Sequence, residues 1–216
     1  MSGAGDASRH VVLLGDSIFD NAAYVPGGPD VVRQLRRRLG AGSRASLLAV
    51  DRAVVDGIRR QLDRLPADAT HLVVSAGGND ALGASGVLRE GVRSVAEAVG
   101  RLGGVAEAFG RGYGDMLDQV LARGLPTAVC TIYDANYPEP ERGVIVAALS
   151  LFNDAITRAA FARGLPLIDL RLICSEAGDY ANPIEPSVQG GAKIAGAIAR
   201  LAAVEIWGGD SRVIAR

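Results

Sequence analysis

Val11-Val12-Leu13-Leu14-Gly15-Asp16-Ser17-Ile18-Phe19-Asp20-Asn21 decides how this chain is read. Its aliphatic run has no polar alternation, so a strand formed there must be covered on both faces, as in a parallel sheet. Gly15 ends the run, and polar residues follow at the strand's carboxyl end, where open α/β sheets bind ligands. The same order recurs at His71-Leu72-Val73-Val74-Ser75, closed by Ala76-Gly77-Gly78-Asn79-Asp80. Either glycine turn alone is explained by turn geometry. Their joint appearance after the first and third strands is more specific.

Outward from these two strands, short apolar runs alternate with segments of helical period. Pro29-Asp30 opens a helix with Val31, Val32, Leu35 and Leu39 on one stripe and Arg33, Arg36 and Arg37 opposite. Ser46 to Val50 reads as strand two, followed by a short helix to Leu65. Helices are expected over about 86–102 and 105–123, with Gly103-Gly104 as the break. Thr127 to Ile132 is strand four, a helix covers about 143–163, and Leu167-Ile168-Asp169 is a short fifth strand. A final helix carries Ile194, Ile198 and Leu201. The pattern predicts one α/β domain over 1–216, a three-layer α/β/α sandwich with about five parallel strands and a flexible start at 1–9.

Composition narrows the function classes. The chain has 216 residues, a net charge of −1 and 49% hydrophobic residues, which fits a folded core and excludes disorder. Near-neutral charge gives no footprint for nucleic acid, and Arg36-Arg37-Arg38 reads as a solvated helix face. No run of about 18 apolar residues points to a membrane, and Met1 to His10 lack the apolar stretch of an export signal. A cytoplasmic protein with Cys130 and Cys174 as reduced, buried thiols is expected. Asp16, Asp20, Asp80, Asp134 and Asp179 follow no metal-loop spacing, so turn and cap roles are expected of them, with neither metal nor cofactor. No feature specifies an oligomeric state.

The two glycine turns resemble the SGNH (GDSL-type) esterase/lipase family, and the resemblance covers most of the chain. Gly15-Asp16-Ser17 is similar to the block that carries the family's serine nucleophile. Gly77-Gly78-Asn79-Asp80 is similar to the block whose asparagine amide donates to the oxyanion. Ala49-Val50-Asp51-Arg52-Ala53 stands where the family has a glycine whose N–H is another donor, and Arg52 replaces that glycine. Asn182-Pro183-Ile184-Glu185-Pro186-Ser187 stands where the family has Asp-x-x-His-Pro. The resemblance implies a flavodoxin-like sandwich and a small-molecule ester or acyl substrate. Ser17, Asn79, Glu185, Arg52 and Asn182 become the candidate catalytic residues. Asp16, Gly78 and Tyr133 become candidates for substrate binding, and Tyr137 and Phe19 are further candidates for an apolar wall.

The missing histidine is the main departure. His10 and His71 are the only histidines, and each lies seven or eight residues before the chemistry on its own strand, about 20 Å away. Glu185 takes the base position, with Asn182 placed to orient it. An ordinary glutamate is about two pKa units weaker as a base than histidine, roughly 2.7 kcal/mol of proton affinity. Burial would recover part of this, and a nearby Arg52 cation would remove it again. The sequence supports an esterase or acyltransferase, or an enzyme of the same scaffold turned to a specialised substrate. The alternative is a silent protein that binds a small carboxylate or sugar through an Arg52–Glu185 ion pair. A Glu185 carboxylate within about 3 Å of the Ser17 hydroxyl discriminates for catalysis. A response-regulator arrangement is excluded, because it needs a lysine after strand five and Lys193 falls inside the last helix.

Overall fold

His10 to Leu14 are buried on both faces, and side chains alternate between two cores along the strand. Val11 and Leu13 join one apolar cluster, Val12 and Leu14 the other. In the computed structural model, which describes residues 8–204, 207 and 211–215, this strand lies inside a six-stranded sheet of order β2-β1-β3-β4-β5-β8. Its strands are β1 (His10–Gly15), β2 (Arg44–Leu47), β3 (His71–Ser75), β4 (Thr127–Cys130), β5 (Leu167–Ile168) and β8 (Val213–Ile214), all paired in parallel. One face is covered by α1 (Val31–Arg38) and α7 (Val188–Ala203). The other is covered by α2 (Ile58–Leu62), α4 (Val95–Leu121) and α5 (Glu141–Phe161). This is the three-layer α/β/α sandwich expected.

The short elements α3 (Gly78–Ala84) and α6 (Leu170–Ile173) follow β3 and β5, and a small antiparallel hairpin pairs β6 (Tyr180–Asn182) with β7 (Glu185–Pro186). The edge strand β8 is too short to leave an apolar pattern, which is why about five strands were expected in the main sheet and six form; the hairpin is equally short and adds two more in a sheet of its own. Strand β2 starts two residues earlier than expected and ends three earlier. Gly103-Gly104 does not break a helix: α4 runs through both glycines. Ser94 caps it by accepting from the Glu97 N–H, and Glu97 bonds Arg93 and Arg101 on its first turns. These local supports and the packing of Tyr113, Met116, Leu117 and Val120 outweigh a cost of about 1 kcal/mol per glycine. Of the segment expected to be flexible, residues 1–7 lie outside the described residues. Ser8 and Arg9 are hydrogen-bonded to Gly42 and Ser43.

Helix α5 is long and apolar enough to cross a membrane by length and composition, with mean hydropathy 1.5. Its apolar residues have another use here. Leu149, Phe152, Ile156 and Ala160 are buried, while Val144, Ile145 and Ala148 wall a cavity.

The exit of β1 is the tightest point of the sheet. Gly15 has φ +138°, and a Cβ there would stand 1.8 Å from the Ser75 carbonyl oxygen of β3. Gln61 grips the same peptide: its side chain accepts from the Gly15 N–H at 2.8 Å and donates to the Gly15 carbonyl at 2.7 Å. Gly15→Ala is therefore expected to cost more than about 3 kcal/mol, or to give no folded protein, as read by the urea unfolding midpoint. A loss below about 1 kcal/mol would refute this tight approach.

Candidate active site

Past Gly15 the chain turns sharply, with the Phe19 and Asp20 N–H groups both donating to the Asp16 carbonyl. The Asp16 side chain accepts from the Ile18 N–H at 3.1 Å, and Ser17 lies between them, 7% exposed. The Ser17 hydroxyl donates to Glu185 Oε1 at 3.0 Å across a separation of 168 residues. Glu185 is 5% exposed, and its Oε2 is buried without a hydrogen-bond partner among the described residues. Burial pushes the Glu185 carboxyl up to about 7; the Ser17 hydroxyl opposes this and the Asp51 charge adds to it. Burial likewise pushes Asp16 up to about 7, against the Ile18 hydrogen bond and with help from the Glu185 charge.

Arg52 has φ +62°, the left-handed conformation that glycine adopts without strain. Its side chain is 86% exposed, 3.9 Å from Asp51, and so neither fills the site nor pairs with Glu185. The expectation of an Arg52–Glu185 ion pair is corrected on that ground: the backbone turn aims the side chain at solvent. What Arg52 retains is its main chain. Neither its N–H nor that of Ser17 donates a hydrogen bond among the described residues. The turn is held from several sides. Val50 N–H donates to the Gly15 carbonyl at 3.0 Å and Asp51 N–H to the Asp20 carboxylate at 2.9 Å. Val55 N–H donates to the Asp80 carboxylate, and Asn79 Nδ2 donates to the Ala53 carbonyl at 3.0 Å. The second N–H of the Asn79 amide remains for a ligand.

Ser17, Asn79 and Glu185 line a cavity of about 450 Å³, and Arg52 is not in its wall; the volume is within the usual range for small-molecule sites. Asp16, Ser17, Gly78, Asn79, Tyr133 and Glu185 all line it. Leu82, Leu102, Val105, Ile145 and Phe152 supply much of the apolar wall, from α3, α4 and α5. Tyr137 also lines it, whereas Phe19 is fully buried in the opposite core. Tyr133 faces the cavity with its ring, but its hydroxyl donates to the Ile184 carbonyl at 2.6 Å.

Asn182 does not orient Glu185. It is exposed, and its side chain accepts from the Ile184 N–H at 2.9 Å, closing the β6–β7 turn. The orienting role falls to groups that the sequence did not single out. Asn21 Nδ2 donates to the Pro186 carbonyl at 3.2 Å while its Oδ1 accepts from Val31 N–H, so one side chain ties β7 to the start of α1. Asn21 closes the stretch that opened the sequence reading, yet its partners are distant and only the fold supplies them.

The two histidines lie where strand geometry put them. His10 contacts Asp68 and Ser46 at the amino end of the sheet, and the His71 ring packs at a tilt against Trp207 with ring centroids 4.5 Å apart. Neither lines the cavity. Cys130 and Cys174 are free thiols and both are buried.

No curated protein sequence matches this chain. Solved structures do match its fold. An extracellular lipase from Streptomyces rimosus superimposes with TM-score 0.61 at 18% identity, over 91% of this chain and 100% of that one. Phospholipase A1 from Streptomyces albidoflavus NA297 gives 0.63 at 17% identity, over 92% and 100%. The psychrotrophic esterase EstA from Pseudoalteromonas sp. gives 0.60 at 17% identity, over 90% and 97%. At such identities these likenesses speak for the fold. The sequence itself matches the GDSL-like Lipase/Acylhydrolase family over residues 13–192, from the middle of β1 into α7, and this chain therefore belongs to that family of esterase- and lipase-type hydrolases.

Proposed function

We propose that this chain is a serine esterase that hydrolyses small carboxylic esters with an apolar acyl group, using Glu185 in place of a histidine base. The hydrogen bond from Ser17 to Glu185 at the end of an apolar cavity carries this reading. Ser17 Oγ attacks the ester carbonyl carbon while its proton passes to Glu185 Oε1. The tetrahedral oxyanion receives the Ser17 and Arg52 N–H groups and the free Asn79 amide N–H. Glu185 then returns the proton to the departing alkoxide, leaving an acyl-serine. In the second half, Glu185 takes a proton from water, the hydroxide displaces Ser17, and Ser17 recovers its proton as the carboxylic acid leaves.

The weakness of a carboxylate base is offset by its surroundings. Raising Glu185 from the ordinary 4.5 to about 7 restores roughly 3 kcal/mol of proton affinity, the same size as the deficit against histidine. Arg52 does not cancel this, because its cation lies in solvent beside Asp51. One difference persists. A histidine base becomes a cation as it takes the proton and faces the oxyanion, whereas Glu185 only becomes neutral. Stabilisation of the oxyanion then rests on the N–H donors alone.

A fluorophosphonate is expected to label wild-type protein once, at Ser17, and to leave Ser17→Ala untouched by intact mass. Folded wild-type protein that resists labelling overturns the reading. Glu185→Gln is expected to lower kcat on p-nitrophenyl esters by about 10²–10⁴-fold.

Activity should rise with pH through about 7, because Glu185 accepts a proton only when ionised; Asp16 titrates in the same range, so the midpoint belongs to the pair. Stability should move the other way. A carboxyl whose folded pKa is raised holds its proton longer in the folded state, so stability falls as pH rises from about 4 to 7. Glu185→Gln should therefore raise Tm at pH 8 and leave it unchanged at pH 4, as a thermal scan at both values will read.

Each further CH₂ of the acyl chain buried in the cavity is worth about 0.8 kcal/mol, or about four-fold in kcat/KM. A rise from p-nitrophenyl acetate to butyrate to hexanoate is expected, and a maximum at acetate would refute the apolar acyl site.

A further inference from the structure

We infer that Tyr133 is a positioning residue that holds Glu185 buried against Ser17 through the Ile184 carbonyl. This rests on the assignment of Glu185 as the base. Glu185 sits on a two-residue strand, β7, which makes no contact with the main sheet's ladder and pairs only with the short β6. So short a hairpin does not fix a carboxylate by itself. Two side chains hold the peptide groups on either side of it: Asn21 bonds the Pro186 carbonyl, and Tyr133 bonds the Ile184 carbonyl at 2.6 Å. The segment carrying Tyr133 adds a main-chain tie, from Asn136 N–H to the Pro183 carbonyl at 2.8 Å. Tyr180, in β6, donates back to the Asp134 carbonyl and packs edge-on against the Tyr133 ring, with centroids 5.1 Å apart. The chain after β4 and the hairpin are thus laced together, and that same chain walls the cavity through Ile132, Tyr133, Ala135 and Tyr137.

The Tyr133 phenol is buried, and burial holds its pKa well above the usual value, so it is a neutral donor throughout the working range. It touches the cavity with its ring, while the hydroxyl points at the backbone. If the bond is cut, Ile184 is free to swing outward, water reaches Glu185, and the desolvation that strengthens the base relaxes. The effect on catalysis is therefore on the strength and placement of the base more than on ester binding.

Tyr133→Phe keeps the buried ring and removes only the donor. On p-nitrophenyl butyrate it is expected to lower kcat about ten-fold and to change KM by less than about two-fold, and the midpoint of the pH–rate profile should fall by about half a pH unit. In a Glu185→Gln background the same substitution should have no further effect on kcat, since its target is gone. An unchanged kcat and midpoint in Tyr133→Phe, or an equal loss in both backgrounds, overturns the inference. If Glu185→Gln alone retains wild-type kcat and pH profile, the assignment of the base fails instead. Should Tyr133→Phe not fold, Tyr133→Met decides the matter: it too removes the donor to the Ile184 carbonyl while keeping an apolar side chain at that position. The same downward shift of the midpoint supports the hold on Ile184, and an unchanged profile overturns it.

Discussion

The close approach of Gly15 to the Ser75 carbonyl is the constraint on which the site depends. It brings the carboxyl ends of β1 and β3 close enough for Ser17 and Asn79 to face one cavity, and no side chain fits between them. Gln61 completes the junction by accepting from the buried Gly15 N–H and donating to the Gly15 carbonyl. From there the order is outward. Val50 bonds the Gly15 carbonyl, and Asp20 and Asp80 hold the chain on either side of Arg52. Asn79 fixes itself on Ala53. The aspartates flanking the serine and asparagine are turn anchors, and their spacing is set by the backbone groups they satisfy.

Against this rigid frame, Glu185 is the costly element. A carboxylate almost without solvent, with one oxygen unpartnered and another buried carboxyl nearby, has no place in a structure selected for stability alone. The protein holds the group there through bonds to the neighbouring peptides and leaves the carboxylate itself under-satisfied. That choice keeps its proton affinity high. A cation beside it would have satisfied the charge and removed the basicity, and Arg52, at its positive φ, holds its cation in solvent. The departures from the family at Arg52 and Glu185 therefore stand in one relation: the N–H of the old glycine position is kept, and the side chain that replaced the glycine is kept away.

Much of the fold was legible because its signals are local. The aliphatic runs of β1 and β3, the Asp30 cap of α1 and the stripe on α7 each follow from a few consecutive residues. Where the signal was too short or was overridden, the reading differed. The two-residue strands β7 and β8 carry no periodicity of their own, and Gly103-Gly104 was read as a break in a helix that its cap and ion pairs carry through. Ser17, Asn79 and Glu185 were legible as positions in motifs. Asn21 and Gln61 were not, and Tyr133 was read only as a wall of the pocket, since each acts through a bond to a peptide group far along the chain, which no spacing encodes.

By itself, then, the sequence determined the sandwich, the place of Ser17 at the exit of β1 and the absence of any histidine within reach of it, because strand length and rise place residues along an axis without knowledge of the rest. Whether Glu185 is a surface carboxylate or a buried one beside the Ser17 hydroxyl was decided only by the tertiary structure. The difference lies in how much water and which charges surround one carboxyl, and those come from 16, 17, 51 and 133 as much as from 185. The direction of the Arg52 side chain was open in the same way, until the backbone turn that carries it was in place.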